Sequence, residues 1–145
     1  AEAVPAPLDA AAELEALAGV HWVAEAEGKV MAFLLAMDET AAYDNDNFRW
    51  FAARLPRFVY IDRIVVDAAA AGRGIGRRLY QHLFDYARDR GIAAVVCEYN
   101  LDPPKPASRA FHDRLGFREM GQQHVANGSK RVSMQFLTVN EGSPS

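Results

Sequence analysis

Segments of strand-like and helix-like periodicity follow one another along this chain. His21 to Ala26 and Val30 to Ala36 are short runs of strand character separated by Glu27-Gly28-Lys29, and a glycine-bearing turn between two such runs predicts an antiparallel hairpin. Residues 37 to 56 mix Asp38, Glu39, Asp44, Asn45, Asp46 and Asn47 with Tyr43, Phe48, Trp50 and Phe51. That is too aromatic for a linker and predicts a segment folded over a buried surface. Val59 to Val66 is a β-branched run of buried-strand type. From Arg77 to Arg90 the residues Leu79, Tyr80, Leu83, Phe84 and Ala87 recur at three- and four-residue spacing, one stripe of an amphipathic helix that Gly91 ends. Ala93 to Tyr99 is again a buried strand, and a proline-rich loop, Leu101 to Pro106, leads to a short helix with the stripe Ala107, Phe111, Leu115 that stops near Gly116. Phe117 to Val125 and Arg131 to Thr138 predict two closing strands joined through Asn127-Gly128. Ahead of the first hairpin only Leu8 to Leu17 has helical character, with no strand before it, and residues 140 to 145 read as a frayed tail.

A strand, a helix and a strand in succession make a right-handed crossover with parallel neighbours, so residues 58 to 99 predict a central βαβ unit. With antiparallel hairpins on either side the chain is a single α+β domain over residues 1 to 145, half of it apolar and long enough for one core. The net charge of −3 argues against a nucleic-acid or membrane-surface partner, whose footprint is a basic excess. One cysteine, Cys97, permits neither an internal disulfide nor a thiolate metal site, which makes a cytoplasmic location the expectation. No apolar run reaches membrane-spanning length. The start, Ala1-Glu2-Ala3-Val4-Pro5, lacks the regions of a secretory signal and a methionine, as a processed or truncated chain would.

After Val66 the chain continues through Asp67 and four alanines into Gly72-Arg73-Gly74-Ile75-Gly76-Arg77-Arg78-Leu79. A small-residue loop between a strand and a helix directs backbone N–H groups at whatever sits on the helix N-terminus, and glycines let an anion approach closely; Arg73, Arg77 and Arg78 add positive charge. This is a phosphate cradle. A P-loop is excluded because Gly76 is followed by Arg77-Arg78 rather than Lys-Ser/Thr, and the dinucleotide pattern fails at Arg77 and Leu79. What remains resembles the signature of the GNAT superfamily of N-acetyltransferases, Arg/Gln-x-x-Gly-x-Gly/Ala after a strand of the type Leu-Glu-Arg-Leu-Ala-Val, here Ile61 to Val66 and then Gly74-Ile75-Gly76. The Arg/Gln position holds Ala71. A second segment, Ser108 to Phe117, is similar to the family's Asn-x-x-Ala-x-x-Leu-Tyr-x-x-x-Gly-Phe, with Lys105 at the asparagine, Ser108 at the alanine and His112 at the tyrosine position.

The resemblance implies a mostly antiparallel mixed sheet around the βαβ unit, without the family's first strand in this chain, and acetyl-CoA as co-substrate. It implies cofactor contacts from Ile64, Val65, Val66, Ala71, Gly72, Arg73, Gly74, Ile75, Gly76 and Arg77, and from Asn100 and Ser108. An acceptor amine has a pKa near ~10, so a base must remove a proton before attack. Glu98, on the strand lining the family's split sheet, is the candidate, its alternative being an ion pair with Arg63 or a neighbouring arginine. His112, at the position of the tyrosine that protonates departing coenzyme A, is the candidate acid; its alternative is a surface histidine beside Asp113. Asp62 is expected to share a face with Tyr60 and Ile64 and to meet substrate or serve as reserve base, with Tyr43 and Trp50 on the acceptor wall. Cys97 reads as an inert core thiol, and His21, His82, His112 and His124 show no metal spacing, so no metal is expected. The partner is then a small-molecule or peptide amine, and a homodimer is compatible with the chain. The competing function is a catalytically idle module that binds CoA or another nucleotide.

Overall fold

The computed structural model describes residues 19–26, 28–68, 74–102, 106–125 and 128–139. The strands are β1 (Gly19–Ala26), β2 (Lys29–Asp38), β3 (Val59–Val66), β4 (Ala94–Asp102), β5 (Arg118–Val125) and β6 (Lys130–Thr138), and the helices α1 (Asp46–Ala52), α2 (Ile75–Asp89) and α3 (Pro106–Leu115). The sheet order is β1-β2-β3-β4-β6-β5, antiparallel at every junction except β3 with β4, the parallel pair bridged by α2. The α+β fold, the hairpins and the βαβ centre are as the periodicity predicts. The expected helix over Leu8–Leu17, the absent first strand and the tail from Asn140 lie outside the described residues, as do Glu27 and Asn127 of the two turns.

Alternation along the strands sorts the interior into two faces. On one, Leu34, Ala36, Val59, Ile61, Val95 and Cys97 meet the α2 stripe of Leu79, Tyr80, Leu83, Phe84 and Ala87. On the other, Phe33, Leu35, Met37, Tyr60, Val96 and Met134 meet Phe48 and Phe51 of α1. That helix is the element the sequence reading missed. Asn45 accepts hydrogen bonds from the backbone N–H of Asn47 and Phe48 at 2.8 and 3.0 Å and so caps it, turning a stretch of acids, amides and aromatics into two helical turns. The other helices end as their glycines suggest. Gly91 and Gly116 have positive φ, while Ile92 N–H returns to Ala87 O and Phe117 N–H to His112 O.

One strand departs from its expected alternation. β2 pairs Leu35 with Arg63 but Ala36 with Ile61, so Asp62 is an extra residue on β3, a β-bulge. The bulge resets the phase. Tyr60 packs with the α1-side cluster, yet Ile64 packs with the α2-side cluster and Val65 on the side of Tyr60. The expectation that Asp62, Tyr60 and Ile64 share a face is therefore corrected, because strict alternation does not survive an inserted residue. β4 also runs three residues past its expected end at Tyr99, to Asp102.

Candidate active site

The site begins where the central pair stops pairing. β3 and β4 are in register only at Val59 with Val95 and Tyr60 with Val96, although β3 continues to Val66 along β2 and β4 to Asp102 along β6. The sheet opens from Ile61 and Cys97 onward, leaving the inner edge of β3 through Ile64, Val65 and Val66 with no strand partner among the described residues. An amide-bearing ligand can use such an edge as a missing strand. Gly74 holds φ 73° at the N-cap of α2 with no side-chain cap, and Ile75, Gly76 and Arg77 form a first turn without an acid. The dipole there favours an anion, as the cradle requires. A Cβ on Gly76 would stand 3.5 Å from Phe111 Cζ and 3.7 Å from Ile64 Cδ1, so β3, α2 and α3 converge at this point. Ala71, Gly72 and Arg73, and the family-motif position Lys105, lie outside the described residues; Ser108 falls early in α3. Asn100 pairs with Val132 and so follows Glu98 on the α1 side, away from α2.

At the mouth of the opening Glu98 sits opposite Met134 on the α1 side, where the Tyr60 hydroxyl donates to its Oε1 at 2.9 Å. Burial pushes the Glu98 carboxyl up to about 7, the nearby Asp62 charge adds to this, and hydrogen bonds from Tyr60 and Asn47 pull against both. The same burial and the facing carboxylate drive the Tyr60 phenol up. Glu98 is not the partner of Arg63. The Arg63 guanidinium binds Asp62 instead, at 3.1 Å, and the Tyr43 hydroxyl donates to the other Asp62 oxygen at 2.6 Å. Asp62 and Tyr43 thus form one unit beside Glu98. Trp50, the third expected acceptor-side residue, lies against β5, where a Cβ on Gly121 would come 2.6 Å from its Cζ2. The Arg54 guanidinium covers the indole at 3.7 Å from the ring centroid.

His112 lies on the other face and is only 6% exposed, more buried than the expected stripe of α3, whose Ala107 is exposed. Its ring packs among Tyr80, Tyr99, Phe111 and Phe117, and its Nε2 shares a 2.9 Å hydrogen bond with the Tyr80 hydroxyl. The surface-histidine alternative is thereby removed. Asp113, its expected neighbour, faces Arg109 across one helical turn. Cys97 is buried and its thiol is pushed well above the ordinary range by desolvation, so no thiolate is available there.

The sequence model of the Acetyltransferase (GNAT) family matches residues 2–117. The chain belongs to the GNAT acetyltransferase family. Glucosamine 6-phosphate N-acetyltransferase 1 of Oryza sativa subsp. japonica is 33% identical over 111 residues, 77% of this chain and 61% of that protein. N-alpha-acetyltransferase RimI of Mycobacterium tuberculosis (strain ATCC 25618 / H37Rv) is 33% identical over 93 residues, 63% of this chain and 56% of that protein. The GNAT chain described here thus spans about three fifths of the length of these two relatives. Among solved structures, yncA of Salmonella typhimurium with its cofactor acetyl-CoA superposes with a TM-score of 0.65 at 25% identity, covering 96% of this chain and 76% of that one.

Within this GNAT domain four residues near the site escaped the sequence reading. Tyr60 and Tyr80 were legible only as apolar positions of a strand and a helix, and their hydroxyls become informative once Glu98 and His112 are found against them. Asn47 and Gln123, joined by a 2.9 Å hydrogen bond from the Gln123 amide to Asn47 Oδ1, come from segments 76 residues apart, which no local spacing relates.

Proposed function

We propose that the chain catalyses transfer of an acetyl group from acetyl-CoA to a primary amine by direct attack, with Glu98 as general base. The observation that carries the reading is a buried carboxyl, held near neutrality, at the point where the parallel strands part. Acetyl-CoA supplies an activated acyl thioester. The inner edge of β3 at Ile64 to Val66 suits the pantetheine amides, and the α2 N-terminus at Gly74 to Arg77 suits the pyrophosphate, with Ala71, Gly72, Arg73, Asn100 and Ser108 completing the expected contacts.

Glu98 and His112 are on opposite faces of β4, which supports a two-sided arrangement. The acceptor enters from the α1 side, past Tyr43, Asp62 and Trp50, and the cofactor from the side of α2 and α3. Ionised Glu98 takes a proton from the ammonium acceptor, the neutral nitrogen attacks the thioester carbonyl carbon, the carbon–sulfur bond breaks as the sulfur receives a proton from the Tyr80–His112 pair, and the nitrogen gives up its surplus proton to water as the neutral amide forms, with solvent reprotonating the pair. Asp62, fixed by Tyr43 and Arg63, orients the acceptor. The acceptor is an amine on a small molecule or a peptide.

Calorimetric titration with acetyl-CoA and CoA, followed by thiol release over a panel of amines, tests the reading. Binding with turnover supports it. Binding without turnover on any amine would leave a CoA-binding module, and Gly76→Glu binding acetyl-CoA as tightly as the parent would remove the cradle from α2.

A further inference from the structure

We propose that Arg63 sets the specificity for the acceptor, by binding an oxyanion, a carboxylate or a phosphate, that the acceptor carries on the same molecule as its amine. The inference rests on the reading of Glu98 as the base and names the class of amine that site takes. Consecutive residues of a strand ordinarily point to opposite faces, yet Arg63 Nε donates to Asp62 Oδ2 at 3.1 Å. The bulge is the reason. Arg63 stands opposite Leu35, a member of the α1-side cluster, and Asp62, the residue left over, turns to the same side, where the Tyr43 hydroxyl donates to its Oδ1 at 2.6 Å. From there the contacts run on to the base: the Tyr43 and Tyr60 rings lie 6.3 Å apart between centroids, and the Tyr60 hydroxyl donates to Glu98 at 2.9 Å. Glu98, Asp62 and Arg63 thus belong to one face of the opening.

The two charges of the pair differ in access. Asp62 is mostly covered, with 13% of its side chain exposed, whereas Arg63 is open, with 52%. A guanidinium carries five N–H donors, one of them on Nε. With that one spent on Asp62 the Arg63 head is held in one orientation, and its two terminal nitrogens have no partner among the described residues. Other arginines around this face are already engaged. Arg49 places Nη1 on Asp44 and Nη2 on Asp46, and Arg54 covers the Trp50 ring while its Nη1 donates to the Trp50 carbonyl oxygen at 2.8 Å. Two carboxylates alone would suit any ammonium, but a fork of N–H groups beside them matches two oxygens of one oxyanion. The site therefore suits an acceptor of both charges, its ammonium toward Glu98 and Asp62 and its oxyanion toward Arg63. The phosphates of the cofactor are not competitors for this fork, because the cradle at the α2 N-terminus is on the opposite face of the sheet.

The deciding experiment is thiol release from acetyl-CoA by the full chain with two matched pairs of acceptors, alanine against alaninamide and phosphoethanolamine against ethanolamine, together with calorimetric binding of each to the CoA-loaded chain. The members of a pair differ in amine pKa as well as in charge, and comparing their ratio between parent and variant cancels that difference. Arg63→Gln lowers the kcat/KM ratio of the anionic to the neutral member by about 10–100-fold, chiefly through KM. Arg63→Lys, which keeps the charge and loses the fork, falls between. Whatever Asp62 loses with its partner affects both members alike and drops out of the ratio. A response in the first pair alone assigns a carboxylate, in the second alone a phosphate, and in both the shared oxyanion. A ratio the same in parent and Arg63→Gln for both pairs, or neither binding nor turnover of either anionic member, overturns the proposal. Failure of the base reading looks different: Glu98→Gln would then turn over like the parent while the ratio still answered to Arg63. Binding that discriminates through Arg63 with no turnover on any amine would likewise remove acetyl transfer and leave the assignment of Arg63 standing.

Discussion

The two faces of β4 each bury a titratable side chain beside the same opening, and they treat it in opposite ways. On the α1 face Glu98 is met by a phenol, an amide and a second carboxylate, a polar shell that leaves the group near the midpoint of its titration at neutral pH. On the other face His112 is wrapped by four aromatic rings and has the Tyr80 hydroxyl on Nε2. The first environment is tuned by several groups that pull in different directions. The second is dominated by packing, with the polar contact inside it. A base benefits from being poised between two protonation states, whereas a donor that acts once the bond to sulfur breaks benefits from a fixed direction.

The sharpest way to break the comparison is Glu98→Gln. Turnover falls about 10²–10⁴-fold with acetyl-CoA affinity close to the parent value, as steady-state kinetics and calorimetry measure it. Stability moves the other way. Because Glu98 titrates near 7 when folded and near the ordinary carboxylate value of 4.5 when unfolded, the folded chain holds a proton between these two pH values that the unfolded chain has released. Stability from this group therefore falls as pH rises from about 4.5 to about 7 and is level above that window, a loss of roughly 3 kcal/mol. Urea unfolding of Glu98→Gln at pH 4 and pH 8 gains stability over the parent at the higher pH and loses that gain at the lower; a gain that is equal at both would mean the carboxyl is not held up by burial.

On the His112 side the expected pattern is coupling. His112→Phe leaves the buried Tyr80 hydroxyl without its partner and costs about 1–3 kcal/mol in chemical denaturation, while the double variant with Tyr80→Phe costs less than the two single losses added together. Additive losses would mean that the two rings act separately. Glycines give the smallest contrast. Gly121→Ala drives a methyl into the Trp50 ring and costs about 1–3 kcal/mol of stability, whereas Gly76→Ala meets only ordinary contacts, leaves stability within about 1 kcal/mol of the parent, and shows its effect in weaker acetyl-CoA binding. Thermal unfolding with and without acetyl-CoA separates the two.

The half of the molecule built on α2 was legible because its signals are local. The stripe from Leu79 to Ala87, the glycines at 91 and 116 and the β-branched run before Asp67 each carry their meaning within one element. The α1 half was legible only as a composition. Its helix is seven residues long, too short to display a period, and depends on a cap by Asn45 that reads equally well as a loop residue. The site was readable where a single residue type in a strand is costly, as with Glu98, and unreadable where the partner is remote. Asn47 finds Gln123 across the chain, Arg63 prefers Asp62 to Glu98, and His112 looks like a surface residue until Tyr80 is placed over it. The phase of β3 failed for a different reason: alternation assumes that no residue is left over, and Asp62 is one.

That surplus residue is a position of β3 whose loss the pairing with β2 can absorb. Shortening the strand by one at Asp62 would leave Ile61 opposite Ala36 and Arg63 opposite Leu35, and Ile64 and Val65 would keep the sides they now occupy. What the deletion removes is the carboxylate that the Tyr43 hydroxyl and the Arg63 guanidinium hold beside Glu98. A gap at this position is therefore the loss of one acid from beside Glu98, with the register of the strand kept.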